Sequence, residues 1–351
     1  MARELVIEGD KFKKTRGAPS QSLVINPDGA YSVGLDFNRD HLTGILVDLG
    51  GNVKGKIFYE IDTPSPKEAI SLMSDTIRQL LGSRKTYESR ICGAGVAFPG
   101  PMQIKDNSSV LNIVNPKAFP GWNEVPVVDM LASEVGLPVY LENNASAAAL
   151  GERWYGLGRN ISTFLYTFFG AGLGGGLIIN GELHEGSSGN AGELGYFPMS
   201  DSQSMLSDSA QPHIGEHFNL SKLFKWLNQN GQKASQPAHL EALLQSKNSH
   251  FMEWMALAEE ILTPMFQSVE YLFDPEVIVL GGRLPASINE HLRTNLSARL
   301  KELRIRGKSS GPDIICSTAG VDAAALGAAT LPMFDLFAAQ PTVLIKKNGN
   351  R

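Results

Sequence analysis

Residues 162–186 read STFLYTFFGAGLGGGLIINGELHEG. An aromatic, β-prone run meets seven residues of which five are glycine, and an apolar run then resumes. Glycine costs about 1 kcal/mol per residue in a helix interior, so the stretch reads as strand, glycine turn, strand. Two further strand-like runs end in loops of the same kind: YSVGLDF leads into a turn around Asp36, and VIVLGG closes on Gly281-Gly282. Between them lie amphipathic stretches such as KEAISLMSDTIRQLL (67–81), with apolar residues at helical spacing. Strands alternating with helices in two successive halves predict an α/β chain of two lobes.

The remaining elements fill in that plan. LTGILVDL and GNVKGKIFYEI continue a β-meander over 31–61. ICGAGVAFPGP is a buried strand ending in a Pro-Gly-Pro turn, VVDMLASEVG a short helix, and LPVYLENN the next strand. Residues 200–215 form a Ser/Asp/Gln-rich loop, and helices are predicted over 217–228, 237–247 and 251–272. The last of these is apolar enough for either the core or a subunit interface. DIICSTAG is a late strand, and VDAAALGAATLPMFDLF (321–337) a small-residue helix before a tail that looks frayed. The expected divisions are 1–27, 28–150 with about 318–340, and 151–317.

With 351 residues the chain can build two cores. A net charge of −5 gives no sign of a polyanion-binding surface over the whole molecule. Cys92 and Cys316 lie in apolar runs and read as reduced core thiols. No signal peptide and no stretch of 18 apolar residues is found, so a cytoplasmic protein with no membrane partner is expected.

The segments PVYLENNASAAALGE, GAGLGGGLIINGELHEGSSGNAGELGY and FDPEVIVLGGRL, with GVAFPGPM, FPGW and GVDAAALGAA, resemble the ROK family. That family groups bacterial sugar kinases with sugar-responsive transcriptional repressors, and the resemblance runs from about residue 20 to 337. It implies the two-lobed actin-like ATPase, or sugar-kinase (ribonuclease H-like), fold, with nucleotide and sugar held between lobes. On this basis Asn143, Asn144, Glu193, Tyr196 and Glu216 are candidate sugar-site residues. Asp36, Asn38, Arg39, Gly170, Gly172, Gly174, Gly281 and Gly282 mark the position of the nucleotide site. The bland alternative for Glu193 is a helix or turn cap, over which its motif favours the sugar reading, and the loop before Glu216 is divergent.

Three departures from the kinase pattern stand together. Family kinases carry Asn-Asp where this chain has Asn143-Asn144. The Asp takes the sugar hydroxyl's proton, and an amide cannot. Losing a positioned base typically removes roughly 10²–10⁴ in rate. The first phosphate hairpin, Asp-x-Gly-Gly-Thr in kinases, is Asp36-Phe37-Asn38-Arg39-Asp40 here, while Ala171 replaces a usual hydroxyl in the second. Tyr196 stands where a zinc-binding His is common, and residues 197–214 contain no cysteine, so no zinc is expected.

The resemblance therefore implies a catalytically silent sugar sensor of the repressor branch, needing no cofactor, with a sugar or sugar phosphate as ligand and a dimer or higher homo-oligomer as its state. The alternative is an ATP- and magnesium-dependent sugar kinase using Glu142 or Asp40 as base. His213-Ile-Gly-Glu216-His217 also fits H-x-x-E-H, a zinc-peptidase pattern, although Gly215 and Pro212 disfavour a regular helix there. ELVIEG followed by Lys11, Lys13, Lys14 and Arg16 reads as a basic hairpin with a Gly-Ala-Pro hinge. It resembles the wing of a winged-helix domain without its reader helices. DNA binding is then expected only if a complete winged-helix domain exists in a longer product.

Overall fold

The structure is a computed structural model, describing residues 4–12, 20–82, 89–104, 111–113, 119–199, 205–206, 212–305, 307 and 310–337. Strands β1 (Val6–Phe12) and β2 (Ser20–Ile25) pair antiparallel, as a hairpin should. Its basic tip, with Lys13, Lys14 and Arg16, lies outside the described residues. No helix occurs among the described residues ahead of β3 except the single 3-10 turn Pro27–Gly29.

Strands β3 (Tyr31–Phe37) and β4 (His41–Asp48) are buried at every position, which requires cover on both faces. With β5 (Val53–Glu60), β6 (Ile91–Phe98) and β9 (Val139–Asn143) they form a five-stranded sheet ordered β5-β4-β3-β6-β9. Two short strands, β7 (Met102–Ile104) and β8 (Leu111–Ile113), make a separate hairpin. Helix Pro66–Leu81 starts on a capping box: Ser65 caps Glu68, Glu68 reaches back to Ser65, and Pro66 takes the first turn. With helix Val127–Val135 it packs into a core that includes Leu35, Ile70, Ile77, Val96 and Leu131.

The second sheet is ordered β12-β11-β10-β13-β14, from β10 (Phe164–Phe169), β11 (Leu173–Ile179), β12 (Glu182–Leu183), β13 (Val277–Gly282) and β14 (Asp313–Cys316). The glycine run departs from expectation here. The turn is only Gly170–Gly172, and Gly174–Gly176 lie inside β11. A Cβ on Gly176 would meet Ala145 O at 2.6 Å, and one on Gly175 would meet Leu194 Cδ1 at 2.7 Å. These glycines let a helix and a neighbouring turn close on the sheet.

The predicted helices shift at their ends. The stretch placed at 217–228 divides into a single turn, Ile214–His217, and a helix Leu220–Gln229; the others run His239–Gln245 and Ser249–Phe273. Ser249–Phe273 is a core helix, with Trp254, Met255, Leu262 and Phe266 packed beside Leu292 and Leu296 of helix Ala286–Leu303. Cys92 is buried, but Cys316 is only partly so and does not belong to the core.

Between the two sheets lie helices Asn144–Tyr155 and Ala323–Phe337. The first packs on β10 and β11, the second on β3, β4 and β6, and each packs on the other. Small residues allow it. A Cβ on Gly34 or Gly95 would stand 1.9 Å from a carbonyl of Ala323–Phe337, and one on Gly151 would stand 2.0 Å from Ala323 O. Glu152, fully buried, ties the pair by accepting from Ser317 Oγ (2.7 Å), Thr318 Oγ1 (2.9 Å), Ala319 N (3.1 Å) and Leu157 N (2.9 Å). Among the described residues, Gly320–Phe337 alone has the length and hydropathy of a membrane span, and half of it is buried in this interhelical layer.

Candidate functional site

Strand β9 ends at Asn143, and helix Asn144–Tyr155 starts at the next residue. Asn143 caps that helix: its Oδ1 accepts from Ala145 N at 2.8 Å and Ser146 N at 3.4 Å. Its Nδ2 donates to Glu193 Oε1 at 3.1 Å, so one amide fixes both the helix start and a carboxylate 50 residues away. The Pro99-Gly100 turn after β6 presses against this pair, where a Cβ on Gly100 would stand 2.2 Å from Asn143 Nδ2 and 2.5 Å from Glu193 Oε1.

These groups open onto a cleft of about 330 Å³. Asn38, Arg39, Asn143, Asn144, Gly172, Gly174, Glu193, Tyr196 and Glu216 all line it. Residues the motifs did not single out as site residues join them, Gly100, Phe119, Asn219 and Lys222, together with His213 of the H-x-x-E-H run. Tyr196 stacks on His213 with ring centres 5.1 Å apart, and His213 Nδ1 lies 2.8 Å from Gly195 O. Lys222 Nζ donates to Glu216 Oε1 at 3.1 Å. Phe119 belongs to an aromatic cluster with Phe37, Phe98 and Trp122 that backs the cleft. Burial pushes the Glu193 carboxyl up to about 7.

Asp36, Gly170, Gly281 and Gly282 do not line the cleft. Gly281 and Gly282 sit against β10, where a Cβ would meet Tyr166 Oη at 2.0 Å and Phe169 O at 2.3 Å. Glu142 and Asp40, the two candidate substitute bases, are not in the lining either. Glu142 accepts from the backbone N–H of Asn143 at 2.7 Å. Its pKa is raised to about 7 by burial, with the nearby Glu185 charge adding to it and the Asn143 bond opposing.

A carboxyl whose folded pKa lies above its unfolded value binds its proton more tightly in the folded state. Stability is therefore lost as pH rises from the unfolded value, about 4.5, through about 7. Glu142→Gln removes that loss while keeping an acceptor for Asn143. Thermal melts from pH 5 to pH 8.5 should show the variant near wild type at pH 5 and progressively more stable above it, levelling off past pH 8.

The β3–β4 loop holds a charge cluster that the motifs did not reveal. His41 lies between two carboxylates, with Nε2 3.1 Å from Asp36 Oδ2 and Nδ1 2.7 Å from Asp40 Oδ1. Burial opposes its charge, but Asp36 and Asp40 outweigh burial and raise its pKa to about 9, so the imidazole is a cation at neutral pH. Arg283, following β13 in the second sheet, reaches Asp40 at 3.7 Å. Asp36 is 2 % exposed, with Oδ1 buried and unpartnered.

The H-x-x-E-H residues diverge. His213 and Glu216 line the cleft, while His217 is fully buried, stacked on Trp254 at 5.2 Å with Nε2 3.1 Å from Trp254 O. Burial lowers its pKa to about 4. Three ligands on one metal are not formed by that motif. A second, larger and more open groove of about 740 Å³ runs past Trp154, Tyr155, Met333 and Phe334, and its lining holds no carboxylate and no side-chain amide.

The sequence profile of the ROK family matches residues 32–333. The chain belongs to the ROK family. Among ROK relatives, the xylose repressor of Bacillus subtilis is 29% identical over 199 residues, covering 57% of this chain and 50% of the repressor. The glucokinase of Thermotoga maritima is 24% identical over 315 residues, covering 85% of this chain and 96% of that enzyme. This chain thus spans half of that repressor and nearly all of that kinase. A ROK glucokinase structure from Streptomyces griseus, in complex with glucose and AMPPNP, superposes with a TM-score of 0.70 at 19% identity, over 86% of this chain and 99% of that one. The fold is that of the ROK sugar kinases, the actin-like ATPase and sugar-kinase architecture.

Proposed function

We propose that this ROK protein is a sugar-sensing transcriptional regulator whose cleft binds a monosaccharide without phosphorylating it. The carrying observation is the amide at residue 144, on the cleft wall at the position of the family's proton-accepting Asp. Glu142 and Asp40 lie off the cleft, so neither is placed to take over. Asn143, Asn144, Glu193, Tyr196 and Glu216 would serve as donors and acceptors for a ring of hydroxyls, over the apolar floor of Phe119. The cavity lies at the small end of the roughly 300–1,000 Å³ range of ligand sites, as a monosaccharide requires.

The nucleotide end fits a magnesium nucleotide poorly. Asp36 keeps one unpartnered oxygen, but its charge is already balanced by the His41 imidazolium 3.1 Å away. A dication brought to that oxygen would face a fixed cation. Asn38 and Arg39 fill the hairpin where glycines would let phosphates approach the backbone. Regulation would then follow from the ligand's preference for one closure of the two sheets about the interhelical layer.

One observation favours the kinase reading: Glu193 lies in the cleft with a pKa of about 7, suited to a general base. A thermal-shift panel of hexoses, pentoses and N-acetylhexosamines, with and without ATP and magnesium, separates the two readings when paired with a coupled assay. The regulator reading expects stabilisation by a sugar, none by nucleotide, and no turnover. Turnover at tens per second that is lost in Glu193→Gln would establish the kinase instead.

A further inference from the structure

We propose that His213 is a positioning residue: with Tyr196 it forms a metal-free brace that holds Glu216 on the cleft wall. This rests on the sugar-binding reading above and says what fixes one of its contacts.

Glu216 lies in the single turn Ile214–His217, too short a helix to hold its own place. The turn is fixed instead at both ends by its two histidines. At the far end His217 Nε2 donates to Trp254 O at 3.1 Å, while Trp254 Nε1 donates to His217 O at 3.0 Å. At the near end His213 occupies the N-cap position but makes no cap bond to its own turn. Its Nδ1 lies 2.8 Å from Gly195 O, and because a carbonyl only accepts, that nitrogen carries the proton. The Tyr196 ring stacks on the imidazole, with centres 5.1 Å apart and planes 30° from parallel. Backbone bonds extend the seam: Ile214 N donates to Phe197 O at 2.9 Å, and Met199 N to Pro212 O at 3.0 Å. Gly195 is itself packed on β11, where a Cβ would stand 2.3 Å from Leu173 O. Through His213 and Gly195, the turn that carries Glu216 is tied to the second sheet.

This is the loop in which the family resemblance implies zinc, and the donors present do not fit that ion. Residues 197–212 contain neither cysteine nor histidine. Among the described residues, no three His, Cys, Asp or Glu side chains converge as metal ligands. Tyr196 offers a ring face where a ligating His is common. His217 faces the core, and Glu216 Oε1 accepts from Lys222 Nζ. An aromatic stack and one hydrogen bond thus join the two segments that thiolates and a metal would otherwise join. A carboxylate anchored in this way has little freedom left to lose when a ligand binds.

Isothermal titration with glucose, mannose, xylose and N-acetylglucosamine tests this on wild type, His213→Ala, Glu216→Gln and the double variant, with melting midpoints to report folding. A hydrogen bond to a charged group is worth about 10- to 100-fold in affinity, so His213→Ala should weaken the sugar that binds by about that factor. In the Glu216→Gln background the same change should cost little, because the brace acts through the carboxylate. His213→Asn, which keeps a donor for Gly195 O, should recover part of the loss. If His213→Ala does not fold, His213→Asn takes its place in the cycle, and its smaller loss should vanish in the same background. Dialysis of wild type against EDTA should change neither affinity nor midpoint. Unchanged affinity in a folded His213 variant, losses that multiply in the double variant, or stoichiometric zinc whose removal weakens binding overturns the brace and leaves the sugar cleft standing. Binding of none of the four sugars by wild type overturns both.

Discussion

Gly151→Val is expected to abolish the folded state at physiological temperature. A Cβ at residue 151 would stand 2.0 Å from Ala323 O, 2.8 Å from its carbonyl carbon and 3.1 Å from its Cα, all backbone atoms of the facing helix. Nothing there is a flexible side-chain end, so the two helices must part. Ala147, Ala148, Ala324 and Ala328, all fully buried in this layer, would lose contacts together. Overpacking usually costs about 1–3 kcal/mol when side chains can yield. Displacing a backbone carries this site into the exceptional class, above about 4 kcal/mol. Chemical denaturation followed by circular dichroism measures it. Gly55→Ala is the control, since its Cβ would meet only Leu80 Cδ2 at 3.3 Å and should change stability little. A Gly151→Val protein unfolding at the wild-type midpoint would show that the close helix contact is not required.

Gly100→Ala should instead spare the fold and remove ligand binding. Its methyl would have to occupy space 2.2 Å from Asn143 Nδ2 and 2.5 Å from Glu193 Oε1, so that hydrogen bond must open. Both partners are side-chain ends, and the turn lies on the cleft wall, so the strain is local. Glu193 would lose its orienting donor and swing within the cavity. A displacement of about 1 Å at a positioning group can cost 10²-fold, and affinity for the sugar found in the thermal-shift panel should fall by about that factor. Titration of that sugar, with the melting midpoint as a measure of folding, checks both halves of the expectation. Wild-type affinity in Gly100→Ala would mean that the Asn143–Glu193 pair does not shape the site.

Much of the lining of the candidate cleft is legible in the sequence. Asn38, Arg39, Asn143, Asn144, Glu193, Tyr196 and Glu216 lie up to 178 positions apart in a chain of 351, yet they line one cleft. Asn38, Arg39, Asn143 and Asn144 follow or end strands β3 and β9, and strand ends converge in an α/β sheet, while Glu193, Tyr196 and Glu216 lie in the helical turns Leu194–Tyr196 and Ile214–His217 and their caps. The glycine run is less legible in the sequence. Its composition allowed a long turn, and only the helix lying across Gly174–Gly176 explains why those residues continue β11 instead. The same holds for His213-Ile-Gly-Glu216-His217, whose spacing fits a metal motif while Trp254, 37 residues on from His217, draws that imidazole into the core.

What the sequence by itself determined is chemical identity: an amide at residue 144, no glycine pair in the first hairpin, no thiolate between 197 and 214. Those facts limit proton transfer and metal binding in any conformation, because no fold converts an amide into a base. The tertiary structure alone decided which groups face the cleft and what charge they carry. His41 becomes a cation, the Glu193 carboxyl is pushed up to about 7, and Arg39 is brought to the cleft wall with its Nε buried and unbonded. The reason is physical: burial and the nearest charges set each ionisation, and here those neighbours come from β3, β4 and the end of β13.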